Sequence, residues 1–327
     1  MSRIAKRFLS ATARRNASAA DACAEIFERF GNKPIPVRKQ LFDANQVQLL
    51  SITLNRPNLH QNISILDSAP KDGTPIPPGY HLVYFTPSIL EQDLGLDGTD
   101  RTVNPLNPYT RRMWAGGELH WSQDPSNFLR VGQTVQETTK ILSAEPKKLR
   151  SGGEMCVVGV EKTFENDKGV ALVDKRSWVF QKEITDARAP PPKPEEKPLP
   201  NGNGQHVKDF QQTDVTLFRF SALTFNGHKI HYSKPWCQEV EGHRDCVVHG
   251  PLNLINMLDF WRDTARDAEE DAVPKSIAYR AMSPLYVGEP YRLLLGKEAG
   301  REESGAGWKA EFWDSYGKVS MKGTIVQ

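Results

Sequence analysis

The stretch Gly250-Pro251-Leu252-Asn253-Leu254-Ile255-Asn256-Met257-Leu258-Asp259-Phe260-Trp261 decides how this chain is read. Its apolar residues surround almost the whole circumference of a helix, and Asn253, Asn256 and Asp259 recur every third residue as a narrow polar stripe. A surface helix keeps a broad polar face, so this one is expected to be buried nearly all round. Pro251 suits the first helical position, where its missing N–H costs nothing, and Gly250 stands at the cap. Further on, Val319, Met321, Gly323 and Ile325 alternate with Ser320, Lys322 and Thr324, the period of two of a half-buried antiparallel strand. Asp314-Ser315-Tyr316-Gly317 and Asn166-Asp167-Lys168-Gly169 supply hairpin turns.

Working outward, the segment around Ala189 to Gly204 is proline-rich and charged, with no apolar cluster, and reads as an extended linker over residues 187–206. The same order of features occurs on both sides of it. Leu129-Arg130-Val131-Gly132, a turn at Ser151-Gly152-Gly153, Phe164 to Gly169 and a strand ending Val179-Phe180-Gln181 match a second series. That series is Leu285-Tyr286-Val287-Gly288, Ser304-Gly305-Ala306-Gly307, Phe312 to Gly317 and a strand ending Ile325-Val326-Gln327. The pattern predicts an α+β chain with a double hotdog architecture: two antiparallel sheets, each wrapped around a buried helix, over residues 38–186 and 207–327. Phe42 to Leu50 opens the first half, and Pro77 to Phe85 stands where its buried helix belongs, although that segment is aromatic and weak in helix propensity.

A length of 327 residues suits about two domains. No apolar run is long enough for a membrane span, and 42 basic against 40 acidic residues gives no footing to nucleic-acid binding. Cys23, Cys156, Cys237 and Cys246 are too few and too scattered for a secreted disulfide framework, which favours a reducing compartment. Residues 1–20 carry Arg3, Lys6, Arg7, Arg14 and Arg15 with no acid and are otherwise rich in Ala and Ser, the composition of a mitochondrial transit peptide or of a basic tail.

The densest polar cluster runs from Phe220 to Tyr232 and is followed by Val248-His249-Gly250-Pro251. It places imidazoles and an amide immediately before the tip of the engulfed helix, whose unpaired N–H groups carry roughly half a positive charge. Gly250 and Leu252 are the donors expected there, since Pro251 has none. A thioester carbonyl at that point is stabilised as it becomes enolate-like, and a histidine is the side chain suited to exchanging the neighbouring α-proton.

Asn226-Gly227-His228-Lys229-Ile230-His231 resembles the Asp-x-Asn-Pro-x-His motif of MaoC-type enoyl-thioester hydratases, and Val248-His249-Gly250-Pro251 resembles their helix-capping His-Gly. With Met113-Trp114-Ala115-Gly116-Gly117-Glu118 upstream, the string is similar to the mitochondrial 3-hydroxyacyl-thioester dehydratases of type 2, over most of residues 40 to 327. The resemblance implies dehydration of (3R)-3-hydroxyacyl-acyl carrier protein to the trans-2-enoyl thioester in mitochondrial fatty-acid synthesis. It implies a matrix location, acyl carrier protein as partner and no cofactor. It also implies an internal pseudo-dimer that needs no further subunit, with a homodimer left open. Carried over by position, His231 matches the catalytic histidine, Gly250 the donor to the thioester oxygen, and Asn226 the catalytic aspartate. An amide cannot exchange a proton, so His231 is left to perform both transfers, with His228 as a candidate assistant.

Other residues offer weaker signals. Arg111-Arg112 and Lys147-Lys148 with Arg150 are candidates for meeting an acidic carrier or the substrate, although such doublets are more often solvated surface, and Arg280 is a candidate for clamping a pantetheine phosphate or for a structural ion pair. His228, His231, Cys237, His243, Cys246 and His249 fall close together but form no Cys-x2-Cys knuckle, and no metal is expected. His60, His81, His120, His206 and His243 read as structural, and His249 as a support for the helix cap. Two alternatives stay open: a hydratase of a short dicarboxylic acyl-coenzyme A of the mesaconyl type, and a non-enzymatic acyl-carrier-binding subunit.

Overall fold

The computed structural model describes residues 17–31, 33, 35–60, 62–105, 107–149, 152–265, 273–297 and 307–327. Residues 1–16 of the expected transit peptide lie outside these, as do Arg150, Ser151 and Ser304 to Ala306. Ser18 to Ala20 already belong to the fold. Ser18 and Asp21 form a capping box that opens helix α1 (Ala19–Phe30), with the Ser18 N–H donating to Asp21 Oδ2 at 2.9 Å.

The strands are β1 (Arg38–Leu41), the short pair β2 (Asn58–His60) and β3 (Ile63–Ser64), β4 (Arg111–Trp121), β5 (Thr134–Lys148), β6 (Glu154–Asn166), β7 (Gly169–Gln181), β8 (His206–Phe210), β9 (Ser276–Ala281), β10 (Tyr291–Lys297), β11 (Gly307–Asp314) and β12 (Val319–Val326). The further helices are α2 (Ala44–Thr53), α3 (Asp214–Leu223) and α4 (Gly250–Thr264). Ten strands form one antiparallel sheet in the order β1-β5-β6-β7-β4-β9-β12-β11-β10-β8. Read from either edge, equivalent strands of the two halves occur at equivalent places, and the repeated Phe-to-Gly segments form the β6–β7 and β11–β12 turns.

Two expectations are corrected. The halves do not carry separate sheets: β4 pairs with β9, Gly116 opposite Arg280 through His120 opposite Ser276, and the pairing satisfies two edges that would otherwise lie open. Nor does the first half wrap a long helix of its own. Pro77 to Phe85 supplies only the 3-10 turn Tyr80–Val83, preceded by Gly79 at φ +88°. A Cβ at Gly79 would stand 3.1 Å from Leu258 Cδ1, so this turn packs directly on α4. Aromatic rings occupy the remaining interior, with Phe42 stacked on Tyr84 at 4.1 Å and the edge of Phe85 against Phe42.

α4 is buried as its pattern requires, and Asn253 and Asp259 of the stripe are satisfied by protein partners, whereas Asn256 Nδ2 is buried without a hydrogen-bond partner among the described residues. Asn253 Oδ1 accepts from the Tyr291 hydroxyl at 2.9 Å. Asp259, 2% exposed, accepts from Arg262 Nη2 at 2.7 Å and from the Tyr80 hydroxyl at 3.2 Å, with Arg56 Nε 3.6 Å away. The helix of the second half is thereby tied to the first. α1, which the sequence did not announce, lays Ala19, Ala22, Cys23 and Ile26 against Ile141, Cys156, Val158 and Phe180 in a second, smaller core. A disulfide joins Cys23 to Cys156 there, with the Cα atoms 5.9 Å apart, whereas Cys237 and Cys246 are buried thiols. The linker crosses the second half in extended form, with the Lys197 N–H donating to Ser315 O.

Asp259→Ala strips two nearly buried guanidiniums and a buried phenol of their acceptor. The expected loss is about 3–5 kcal/mol of unfolding free energy, measured by denaturant titration.

Candidate active site

The polar cluster folds as a short, tightly bonded path from the end of α3 to the tip of α4. After Leu223 the chain reverses through Phe225 at φ +47°, and the Asn226 N–H donates to Ser221 O at 2.8 Å. Asn226 Oδ1 then accepts from the His228 N–H at 3.1 Å, an Asx turn that leads into the 3-10 turn Lys229–His231. That turn lies beside the strand-like run before α4, with the Val247 N–H donating to Ile230 O at 2.8 Å.

His231 meets the helix tip here. Its Nδ1 lies 2.7 Å from the Val247 carbonyl, which can only accept, so Nδ1 carries the hydrogen and Nε2 keeps a lone pair. Its ring stacks on that of His249, the N-cap residue of α4, with centroids 3.6 Å apart and planes within 16°. His249 in turn bonds through Nε2 to the Ser221 hydroxyl at 2.9 Å. The His228 ring stands edge-on to His231 at 5.4 Å. The cap is thus His249, one residue earlier than the sequence suggested, and Gly250 is the first helical residue.

Burial dominates the electrostatics. It pushes the His231 imidazole down to about 4, with the Val247 carbonyl bond resisting and the nearby His243 adding to the depression. Burial also holds His228 and His249 well below the usual imidazole range, each further disfavoured by the charge a protonated His231 would carry. All three rings are therefore neutral near pH 7. The tip of α4 adds its own positive end. A Cβ at Gly250 would fall 2.3 Å from Trp114 Cε3, so only glycine lets the indole, itself stacked on Tyr279, lie against this tip. Leu252 is wholly buried one turn in. The arrangement offers a neutral base, a ring that buttresses it, and a dipolar helix end within a few ångströms.

His231, Asn226, His228, Gly250 and Leu252 are brought together. The arginines are not joined to them in the same way. Arg111 is engaged by Glu241, Nε to Oε2 at 2.6 Å, and by Gln181 Oε1 at 2.9 Å. Arg112 lies over the Trp178 ring at 4.9 Å, and burial lowers the pKa of its guanidinium. Arg280 is on the opposite face of β9 from Tyr279, exposed in a surface groove that Lys322 and Lys175 also line. Lys147 pairs with Glu145 at 2.6 Å. Of the remaining residues weighed as metal ligands, Cys237 Sγ donates to Ile230 O at 3.2 Å and His243 Nδ1 meets the Tyr286 hydroxyl at 3.2 Å. Among the described residues no group of three or more His, Cys, Asp or Glu side chains is disposed to hold a metal ion. Sequence reasoning missed Ser221 as the partner of His249 and Val247 as the anchor of His231; a hydroxyl at a helix end and a backbone carbonyl leave no periodic trace.

The model of the hydroxyacyl-thioester dehydratase type 2 family matches residues 79–287. The chain is 31% identical over 229 residues to a mesaconyl-C(4)-CoA hydratase from Chloroflexus aurantiacus, covering 69% of this chain and 76% of that one. It is 23% identical over 259 residues to a mitochondrial hydroxyacyl-thioester dehydratase type 2 from Schizosaccharomyces pombe, covering 68% and 79%. Among solved structures, a MaoC-like dehydratase from Phytophthora capsici aligns with a TM-score of 0.58 at 14% identity, over 91% of this chain and 97% of that one. A Mycobacterium tuberculosis protein described as a double hotdog fold aligns with a TM-score of 0.56 at 10% identity, over 94% and 99%. The likeness to these structures supports the double hotdog fold; the family match, which runs from the first-half turn at Gly79 past the histidine cluster, places the chain, with its relatives, in the hydroxyacyl-thioester dehydratase type 2 family, among the hydro-lyases.

Proposed function

We propose that this hydro-lyase dehydrates (3R)-3-hydroxyacyl thioesters to trans-2-enoyl thioesters, with acyl carrier protein as the carrier, in mitochondrial fatty-acid synthesis in the matrix. The observation that carries the reading is the contact between the His231 ring and the N-cap of α4. With the thioester oxygen at the N–H groups of Gly250 and Leu252, charge moving onto that oxygen is stabilised by about 3 to 4 kcal/mol per donor. His231 Nε2 removes the C2 proton, the electron pair forms the C2–C3 double bond, and the C3–O bond breaks. The same proton passes from His231 to the departing hydroxyl, which leaves as water. The neutral imidazole is the form this step requires, and burial keeps it in that form.

Asn226 takes no part in proton exchange. Its Oδ1 holds the turn, which leaves its NH2 to steady the substrate. The half comprising residues 207–327 carries the chemistry and residues 38–186 shape the acyl path, with residues 187–206 between them. Mitochondrial relatives and the basic residues 1–20 support the location. Hydration of a short dicarboxylic acyl-coenzyme A is the second reading, favoured by the 31% identity to the mesaconyl-C(4)-CoA hydratase. Offering the purified protein 3-hydroxyacyl and mesaconyl thioesters on both carriers and following enoyl absorbance separates the two. Enoyl formation from carrier-protein substrates is expected; turnover of mesaconyl-coenzyme A alone selects the second reading.

His231→Ala is expected to lower kcat by about 10² to 10⁴-fold in a protein that still folds, and near-wild-type turnover overturns the assignment. Because the base must be unprotonated and its pKa is about 4, kcat/KM should persist as pH falls from 7 and decline only as it approaches that value. An unperturbed imidazole would fail near pH ~6.5. Gly250→Ala forces Trp114 or the helix tip to move, and a misplacement of about 1 Å costs on the order of 10²-fold in turnover.

A further inference from the structure

The departure at position 226 leaves the motif without a carboxylate, and the fold brings one from elsewhere. The loop Gly95 to Thr99 belongs to the first half, yet it is docked on the motif of the second. The Lys229 N–H donates to Asp97 O at 2.8 Å and Lys229 Nζ to Leu96 O at 2.6 Å. Gly98, at φ +81°, lies so close to Gly227 that a Cβ there would stand 2.0 Å from the Gly227 carbonyl oxygen. The loop is also closed on itself, with the Gly95 N–H donating to Thr99 O and the Gly98 N–H to Gly95 O, both at 2.8 Å. It therefore has one seat.

Within it, Asp97 Oδ1 is fixed by the Thr99 N–H at 3.0 Å and the Thr99 hydroxyl at 2.7 Å. That orientation sends Oδ2 to 3.9 Å from His228 Nε2, too far for a hydrogen bond between them. His228 is 9% exposed, and its Nε2 is buried without a hydrogen-bond partner among the described residues. Buried polar atoms are seldom left so. A single oxygen fits this gap: placed about 2.8 Å from each atom it accepts from Nε2–H and donates to Oδ2, with the two bonds close to a right angle. His228 itself stands edge-on to the ring of His231, with centroids 5.4 Å apart.

We propose that Asp97 and His228 together grip the substrate's 3-hydroxyl oxygen, so that the non-catalytic half lends the active site the carboxylate its motif lacks. This inference rests on the dehydratase reading and adds to it the residues that recognise the leaving group. His231 remains the proton carrier; the pair holds the C3–O bond where the proton must arrive, and the same grip holds the water that adds in the reverse direction. No proton is left on Asp97 at the end of either direction.

Asp97→Asn tests it, because the amide keeps the bonds of Oδ1 to Thr99 but puts an N–H donor opposite the N–H of His228. Turnover of a 3-hydroxyacyl-coenzyme A should fall about 10- to 100-fold, the range for a hydrogen bond to a charged group. Affinity for the saturated acyl-coenzyme A of the same length, which has no hydroxyl, should stay unchanged. His228→Phe, which keeps a ring edge against His231 but removes Nε2, should reproduce this hydroxyl-selective loss should Asp97→Asn fail to fold, and the double variant should lose little more than either single one. Unchanged turnover in Asp97→Asn, or equal weakening of both ligands, overturns the grip. Wild-type turnover with inactive His231→Ala establishes the dehydratase reading whichever way Asp97 falls. Should the wild type turn over no hydroxyacyl thioester, that reading fails, while the affinity comparison still decides the grip.

Discussion

The pairing of β4 with β9 is the constraint on which the rest of the molecule depends. Each half alone would present an open strand edge and an incomplete interior; joined, they form one continuous sheet with β1 and β8 at its two edges. The junction also sets Trp114, on β4, against the first residue of α4 and against Tyr279 on β9. The helix tip is thus walled by side chains from both halves. Asp259 repeats the lesson further along the same helix, where Tyr80 and Arg56 of the first half converge on it. The proposed reaction centre lies in the second half by sequence, beside a helix whose surroundings the first half helps to build.

Desolvation gives that centre its character. Three imidazoles within two ring contacts of one another repel if charged, and burial disfavours the charge in any case. The protein therefore keeps a cluster of neutral rings beside a positive helix end, with the orienting bonds supplied by Val247 O and Ser221 Oγ. A solvent-exposed histidine at the same spot would divide its population between base and acid near neutrality.

Much of this was legible in the chain. The α4 pattern announced a helix buried all round because its polar residues were too few and too regular for a solvent face, and the structure shows each of Asn253, Asn256 and Asp259 buried. Asn226, His231 and Gly250 were legible as neighbours because they lie close in sequence around one turn. What stayed hidden was long-range. Local periodicity does not say whether two sheets share an edge, so one sheet was read as two. Pro77 to Phe85 stands where the second half has its buried helix, but aromatic bulk and Gly79 let it fill the interior as a turn instead. Arg280 looked like a clamp because nothing in a sequence fixes which face of a strand a residue occupies until its neighbours' register is known. Asp97 carries no signal in the sequence, since its place beside His228 arises only where its loop is seated.

The missing helix of the first half has a stoichiometric consequence. Two identical hotdog units facing each other would own two dipolar tips and two equivalent reaction centres. Here the short turn at Tyr80–Val83 has taken the place of one tip, and aromatic rings fill its surroundings. Fusing the units in one polypeptide lets them diverge, so that one retains the electrostatics while the other is released to become wall and latch. On the proposed reading the described residues hold one such centre, built from two unequal contributors.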